Sequence, residues 1–163
     1  MFPVRRAGDD RDAVDAAYDI QADVAGPSDD EYDPRPSPEL PQKTVLVVED
    51  DEAVSSLLVA LLEDRGYAAI PALDGRSAIE LAREHQPDLI TLDLALPGTD
   101  GHEVLRSLKT HPSTRDIPIV VISAFTQILP AGERKKLAYL LGKPFDVTEV
   151  LEIVQATVGN PYL

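Results

Sequence analysis

The stretch "TVLVVEDDEAVSSLLVALLEDRGY" fills residues 44–67 and passes from a strand pattern to a helix pattern through one acidic cluster. Its first five residues, 44–48, are apolar or β-branched, which is typical of a short buried strand, β1. Residues 52–67 then repeat leucines along one helix face and reach Gly66, where the predicted helix, α1, ends. These leucines are Leu57, Leu58, Leu61 and Leu62. A strand followed directly by a helix predicts the first unit of an α/β fold.

The same alternation continues to residue 159. Further strands are predicted at 68–72 (β2), 88–94 (β3), 117–123 (β4) and, very briefly, 141–142 (β5). Further helices are predicted at 75–86 (α2), 101–111 (α3), 131–141 (α4) and 146–159 (α5), the last capped by Asp146 or Thr148. Pro71 indicates that β2 is an edge strand or ends there. Five alternations predict an α/β fold with a parallel sheet covered on both faces, and right-handed crossovers make that sheet open and doubly wound.

The first 42 residues differ in composition from the rest. They hold 11 acidic and 4 basic residues, a net charge of −7, and six of the 14 prolines. A segment this charged and proline-rich cannot bury enough apolar surface to offset the entropy of ordering it. We therefore expect residues 1–42 to be a largely disordered acidic extension, in which residues 10–24 could form a short amphipathic helix or dock to a partner. The domain is then expected at 43–159, with a tail at 160–163.

Charge and composition exclude several classes of function. The net charge of −14 argues against binding nucleic acid through phosphate neutralisation and against binding anionic lipid, while it suits Mg²⁺ and basic protein partners. No apolar run approaches the roughly 20 residues that cross a bilayer, so no membrane span is predicted. The absence of cysteine excludes disulfides and thiolate chemistry. The absence of cysteine, together with an N-terminus unlike a secretory signal, indicates a cytoplasmic protein.

Polar side chains stand where four of the predicted strands end. They are Glu49, Asp50 and Asp51 after β1, Asp93 at the end of β3, Ser123 at the end of β4 and Lys143 after β5. The ligand site of such a sheet lies at the carboxyl ends of its strands, so these groups should meet at one edge. Carboxylates this close repel each other, and a hard divalent cation, Mg²⁺ or else Mn²⁺ or Ca²⁺, would remove that repulsion. Lys143 could pair with Asp93 or with a phosphoryl group.

Each of these residues also has a purely structural interpretation. The acidic residues 49–52 could simply complement the positive end of α1. Ser123 could be a strand-end hydroxyl, and Lys143 could be a surface lysine. Asp93 is harder to explain in this way, because an unpaired charge in an otherwise apolar strand costs several kcal/mol. The joint pattern favours a functional site.

Four stretches resemble a known family. "VLVVEDDEAV", "PDLITLDLALPGTDG", "IPIVVISA" and "KPF" resemble the receiver domain of two-component response regulators over residues 43–155. The resemblance implies a flavodoxin-like sheet of order 2-1-3-4-5. It implies that Asp93 is phosphorylated, that Lys143 contacts the phosphoryl group and precedes a cis peptide bond to Pro144, and that Ser123 is the switch hydroxyl. It also implies a Mg²⁺ site, with these ligands: Glu49 through water, Asp50, Asp93 and the backbone carbonyl of Ala95.

Two departures from the family concern the last part of the sheet. An aromatic residue often stands three residues before the family's lysine, and here Leu140 takes that position, next to Tyr139. The segment from Ser123 to Lys143 is also shorter than usual, which predicts a short or displaced α4 and an unusual switch. Phe125, two residues past Ser123, could shield the phosphorylated aspartate from water.

The resemblance implies a signalling protein and not an enzyme with a separate substrate. With Mg²⁺, it would transfer a phosphoryl group from a histidine kinase or phosphotransfer protein to its own Asp93. No output domain or DNA-binding region follows the last helix, so the signal is expected to leave through a protein contact on the α4–β5–α5 face, with homodimer formation left open. Three alternatives stay open: a phosphorylation-independent scaffold, a fragment of a hybrid kinase or longer regulator, and a metal-dependent phosphatase.

Overall fold

The computed structural model describes residues 42–162. They form a five-stranded parallel sheet of order β2-β1-β3-β4-β5, which confirms the expected fold. The strands are β1 Thr44–Val48, β2 Ala68–Ala72, β3 Leu89–Leu92, β4 Ile119–Ser123 and β5 Tyr139–Gly142. Val48 is paired with Leu92, and Leu92 with Val121, so the central strands reach the same edge in register. As Pro71 predicts, β2 is an edge strand, where a missing N–H interrupts no central pairing.

Helices cover both faces of this sheet. Their bounds are α1 Glu52–Asp64, α2 Gly75–His85, α3 Gly101–Thr110, α4 Ala131–Arg134 and α5 Val147–Val158, with a 3₁₀ turn at Thr126–Ile128. α2 and α3 pack on the face that buries Leu46 and Leu92, whereas α1 and α5 pack on the face that buries Val45 and Val47. Asp146 caps α5, as predicted. Within residues 42–162, none of the helices combines the length and the apolar character that crossing a membrane requires.

The connection between β4 and β5 differs from the prediction. The sequence predicts a helix over 131–141, but α4 ends at Arg134, so that prediction is wrong beyond this residue. The expectation of a short α4 is confirmed. β5 begins at Tyr139, and its Leu140 and Leu141 then face opposite cores. Burial on both sides of a strand outweighs the helical propensity of this leucine-rich segment.

The two ends of the chain are described to different extents. Residues 1–41, which hold nearly all of the predicted extension and the possible helix at 10–24, lie outside the described residues. At the other end, the carbonyl of Pro161 accepts a hydrogen bond from the N–H of Lys43 at 3.2 Å. The chain after α5 is therefore tied to the start of β1.

Candidate functional site

The carboxyl edge of the sheet gathers the polar residues that were predicted there. The N–H of Asp93 donates to the carbonyl of Val48 at 3.0 Å, which extends the pairing of β1 and β3 by one residue. The N–H of Glu49 donates to the carbonyl of Ala72 on β2, also at 3.0 Å. These backbone bonds fix both residues at the strand ends. Both are buried, since Glu49 is 3% and Asp93 is 5% exposed.

Glu49, Asp50 and Asp93 form an acidic cluster at this edge. Each offers a carboxylate oxygen, and these oxygens lie within 4.8 Å of one another. A set of oxygen donors suits a hard divalent cation such as Mg²⁺. Asp93 is oriented by Ala95, whose N–H donates to Oδ1 of Asp93 at 3.0 Å. The backbone of Ala95 is therefore held beside the cluster, where the resemblance implies a carbonyl ligand.

Lys143 bridges the two buried carboxylates. Its Nζ lies 2.6 Å from Oε2 of Glu49 and 2.8 Å from Oδ2 of Asp93. Its backbone N–H donates to the carbonyl of Ser123 at 3.1 Å, and its bond to Pro144 is cis, as the resemblance implies. The ammonium group thus sits over the end of β3 while its backbone is anchored to the end of β4.

Burial and pairing shift two pKa values in this cluster. Burial raises the pKa of the Glu49 carboxyl, and the hydrogen bonds from Lys143 and from the N–H of Asp51 offset that effect only in part. Burial alone would lower the pKa of Lys143, but its hydrogen bonds to Asp93 and Glu49 outweigh burial and hold that pKa above its ordinary value. The lysine therefore stays charged and neutralises part of the acidic cluster.

Ser123 and Asp51 have surroundings of their own. Ser123 is fully buried, and its Oγ accepts a hydrogen bond from the N–H of Phe125 at 3.3 Å. Asp51 caps α1, because its Oδ1 accepts from the N–H groups of Ala53 and Val54 at 2.9 and 3.1 Å. The helix-capping interpretation of the acidic run thus holds for Asp51.

Other polar contacts near this edge could not be predicted from the sequence. Oε2 of Glu133 lies 2.9 Å from Nδ1 of His102, and its Oε1 lies 3.6 Å from Nε of Arg106. This contact joins α4 to α3 across 31 residues, a separation at which helix and strand periodicity carry no information. Arg134 donates to backbone carbonyls of the loop before α4. Only the folded chain brings these groups together.

Comparison with known proteins agrees with this geometry. Residues 45–155 match the response regulator receiver domain. The polar-differentiation response regulator DivK of Brucella anthropi is 36% identical over 124 residues, which cover 72% of this chain and 98% of that protein. The receiver domain of a sensor histidine kinase from Pseudomonas aeruginosa, solved with a magnesium ion coordinated in its active site cleft, is 28% identical with a TM-score of 0.63, covering 72% of this chain and 98% of its own. A sensor protein from Polaromonas is 28% identical with a TM-score of 0.67, covering 74% of this chain and 98% of its own. The chain therefore belongs to the response regulator receiver domain family of two-component signalling.

Proposed function

We propose that this receiver domain is a phosphoacceptor and that Asp93 takes the phosphoryl group from a histidine kinase or phosphotransfer protein. The observation that carries the proposal is the contact of Lys143 with Asp93, beside Glu49 and Asp50. A carboxylate at the end of a buried strand is thereby paired with a cation, which can also stabilise the charge of an arriving phosphoryl group. Such a transfer modifies the side chain of Asp93 itself, so the protein does not release a phosphorylated product.

The transfer requires a nucleophile that is held in place. A carboxylate oxygen of Asp93 forms a bond to phosphorus while the bond from phosphorus to the donor's imidazole nitrogen breaks and the imidazole leaves. The N–H of Ala95 and the ammonium of Lys143 orient the carboxylate beforehand. Because the transition state of phosphoryl transfer is loose, this positioning and the charge of Lys143 provide most of what the chain contributes.

The donor set fits Mg²⁺. We assign Asp50, Asp93 and the backbone carbonyl of Ala95 as direct ligands, and Glu49 as a ligand through water. Mg²⁺ takes few protein carboxylates, keeps several waters and shares phosphate oxygens, and when bound it supplies charge neutralisation. The clustering of three carboxylates supports this assignment, as does the magnesium ion in the P. aeruginosa receiver domain.

Ser123 is the proposed switch residue. Its hydroxyl stands at the end of β4, and Lys143 is anchored to the same residue through its backbone. In the phosphorylated protein the hydroxyl would release the N–H of Phe125 and donate to a phosphoryl oxygen on Asp93. The bond that is given up is long, at 3.3 Å, so its loss opposes the change only weakly. The two arrangements then form a two-state equilibrium that phosphorylation shifts.

Phosphorylation by phosphoramidate, a small donor with a P–N bond, tests the role of Asp93. With Mg²⁺, the intact protein should gain the mass of one phosphoryl group, and Asp93→Asn should gain none. Asp116→Asn is the matched control, since the Asp116 side chain is 92% exposed, and it should behave as wild type. Equal phosphorylation of Asp93→Asn and the wild type would show that another residue is the acceptor.

A downstream protein is proposed to bind the α4–β5–α5 face. Tyr139 is 46% exposed there and borders an open groove of about 520 Å³ between β5 and α5. The groove is lined by Ala138, Tyr139, Glu152, Ile153, Ala156 and Thr157. A second copy of the chain is the other candidate occupant. If the face forms a homodimer, the molecular mass measured by light scattering should double when the wild type is phosphorylated. The phosphorylated Glu152→Arg variant should keep the mass of a monomer.

Two observations favour a second function, a scaffold that does not depend on phosphorylation. α4 is a single turn, Ala131–Arg134, and Leu140 stands where the family often has an aromatic residue. NMR spectra before and after phosphorylation separate the two functions. Chemical-shift changes that reach β5 support a phosphorylation switch, whereas changes confined to the immediate neighbours of Asp93 support the scaffold.

We also propose residues 43–159 as the domain, residues 1–42 as an acidic extension and residues 160–163 as a tail, in a cytoplasmic protein. Limited proteolysis tests the first boundary. Cleavage should remove the extension first and leave a resistant core that begins near Lys43. A core that retains the first 42 residues would contradict this division.

A further inference from the structure

The loop between β4 and α4 is held together by one side chain of α4. Nε of Arg134 donates to the carbonyl of Leu129 at 2.9 Å, and its Nη2 donates to the carbonyls of Thr126 and Gln127 at 3.0 and 3.2 Å. A helix of one turn has no stability of its own, so α4 depends on such contacts for its position. These hydrogen bonds join residues 126–134 into one segment, which we name the Arg134 block.

Glu133, which belongs to the Arg134 block, connects the block to α3. Oε2 of Glu133 lies 2.9 Å from Nδ1 of His102, and this ring nitrogen donates, since an ionised carboxylate only accepts. Oε1 of Glu133 lies 3.6 Å from Nε of Arg106. The side chains of His102 and Glu133 are only 19% and 16% exposed, so the contact is partly shielded from water and from salt.

α3 is in turn held beside Asp93. Gly101, the first residue of α3, packs so closely on Leu94 that a Cβ at Gly101 would lie 2.3 Å from the Leu94 carbonyl oxygen. Leu94 directly follows Asp93 in the chain. The amino end of α3, and His102 with it, therefore keeps its place against the loop that carries Asp93.

The amino end of the Arg134 block directly follows Phe125, whose N–H donates to Ser123. Oγ of Ser123 accepts from the N–H of Phe125, and this bond is lost if the hydroxyl turns towards a phosphoryl group on Asp93. Phe125, at the start of the loop, is then free to move. Because Arg134 joins the loop to α4, a movement of Phe125 would be passed on to α4. It would displace Glu133 relative to His102, which follows the Gly101 that packs on Leu94.

We propose that the Glu133–His102 contact is a latch that favours the unphosphorylated arrangement, and that Arg134 is the positioning residue that couples this latch to Ser123. The inference rests on the proposed function, because it requires a phosphoryl group on Asp93. It gives the chain a route for the signal, from the end of β4 to α3, that needs no aromatic residue at the position of Leu140.

Affinity for beryllium trifluoride in the presence of Mg²⁺ tests the latch, because this anion mimics a phosphoryl group on a carboxylate. A contact present only in the unphosphorylated state opposes binding of the mimic. His102→Ala should therefore bind it about three- to tenfold more tightly than the wild type in titration calorimetry. Glu133→Gln should shift the affinity in the same direction and covers the case in which His102→Ala folds poorly. His85→Ala, at the end of α2, is the matched control and should bind like the wild type.

A double substitution tests the coupling through Arg134. With Arg134→Ala the loop can move without α4, so adding His102→Ala should change the affinity less than about twofold. Wild-type affinity in both His102→Ala and Glu133→Gln overturns the latch. An undiminished gain in the Arg134→Ala background overturns the coupling. Failure of the wild type to bind the mimic is a different result, which overturns the proposed function and the latch with it.

Discussion

Replacing Lys143 with methionine would leave two buried carboxylates without their cation. Nζ of Lys143 lies 2.6 Å from Glu49 and 2.8 Å from Asp93, which are 3% and 5% exposed. Methionine is unbranched and nearly as long as lysine, so the substitution removes the charge and little of the packing. In the absence of a divalent cation, we expect the protein to lose stability.

The expected loss follows from the burial of the ion pairs. Removing one partner of a buried pair costs about 3–5 kcal/mol, because the other charge stays buried and unpaired. The side chain of Lys143 is 23% exposed, so water reaches the site and reduces the loss to about 2–3 kcal/mol in the free energy of unfolding. For a domain of this size, that corresponds to a fall in Tm of about 8–12 °C.

Thermal unfolding in EDTA, followed by circular dichroism, measures this loss. Lys136→Met removes an exposed lysine after α4 and is the matched control, with an expected Tm change of at most about 1 °C. In the Asp93→Asn background one of the two contacts is already weakened, so Lys143→Met should cost about half as much. Mg²⁺ should raise the Tm of Lys143→Met more than that of the wild type, because the ammonium no longer competes for the carboxylates. A Lys143→Met protein that melts within about 1 °C of the wild type in EDTA would refute this reasoning.

Three further substitutions test a buried hydroxyl without a partner, a close backbone contact and a helix cap. Thr91 is 2% exposed and its hydroxyl has no hydrogen-bond partner among the described residues, so Thr91→Val should raise the free energy of unfolding in urea by about 1 kcal/mol. Gly101→Ala would place a Cβ 2.3 Å from the backbone of Leu94 and should lower that free energy by about 1–3 kcal/mol. Asp74 caps α2, and hydrogen bonds from the backbone N–H and the hydroxyl of Ser77 hold the pKa of its carboxyl below the ordinary value. The stabilisation by Asp74 is therefore present above the pKa of an unfolded aspartate and is lost as pH falls through the lower folded pKa. Asp74→Ala should cost about 1 kcal/mol near pH 7, and urea titrations should show that difference shrinking in acid, whereas a constant difference would contradict the pKa shift.

Much of the fold and of the site could be predicted from local patterns. β1, β3 and β4 are short apolar runs, each followed by a helix pattern or a turn and a helix pattern, and such alternation favours a parallel sheet. All strands of a parallel sheet end at the same edge. Chain order was therefore enough to predict that Glu49, Asp93, Ser123 and Lys143 lie close together, and the two hydrogen bonds of the lysine agree with that.

The connection between β4 and β5 could not be predicted in the same way. Residues 131–141 have a good helical pattern, yet α4 stops at Arg134 and β5 begins at Tyr139. A segment that suits both a helix and a strand takes the form whose partners are available, and here the partner is β4.

The α/β class and the polar residues at the carboxyl edge of the sheet follow from local patterns, because periodicity and chain direction are local properties. Where α4 ends, and which side chains hold it, depends on packing in the folded chain. Glu133 contacts His102 across 31 residues of chain. Contacts at such separations depend on how the helices pack on the sheet, and no local pattern encodes that.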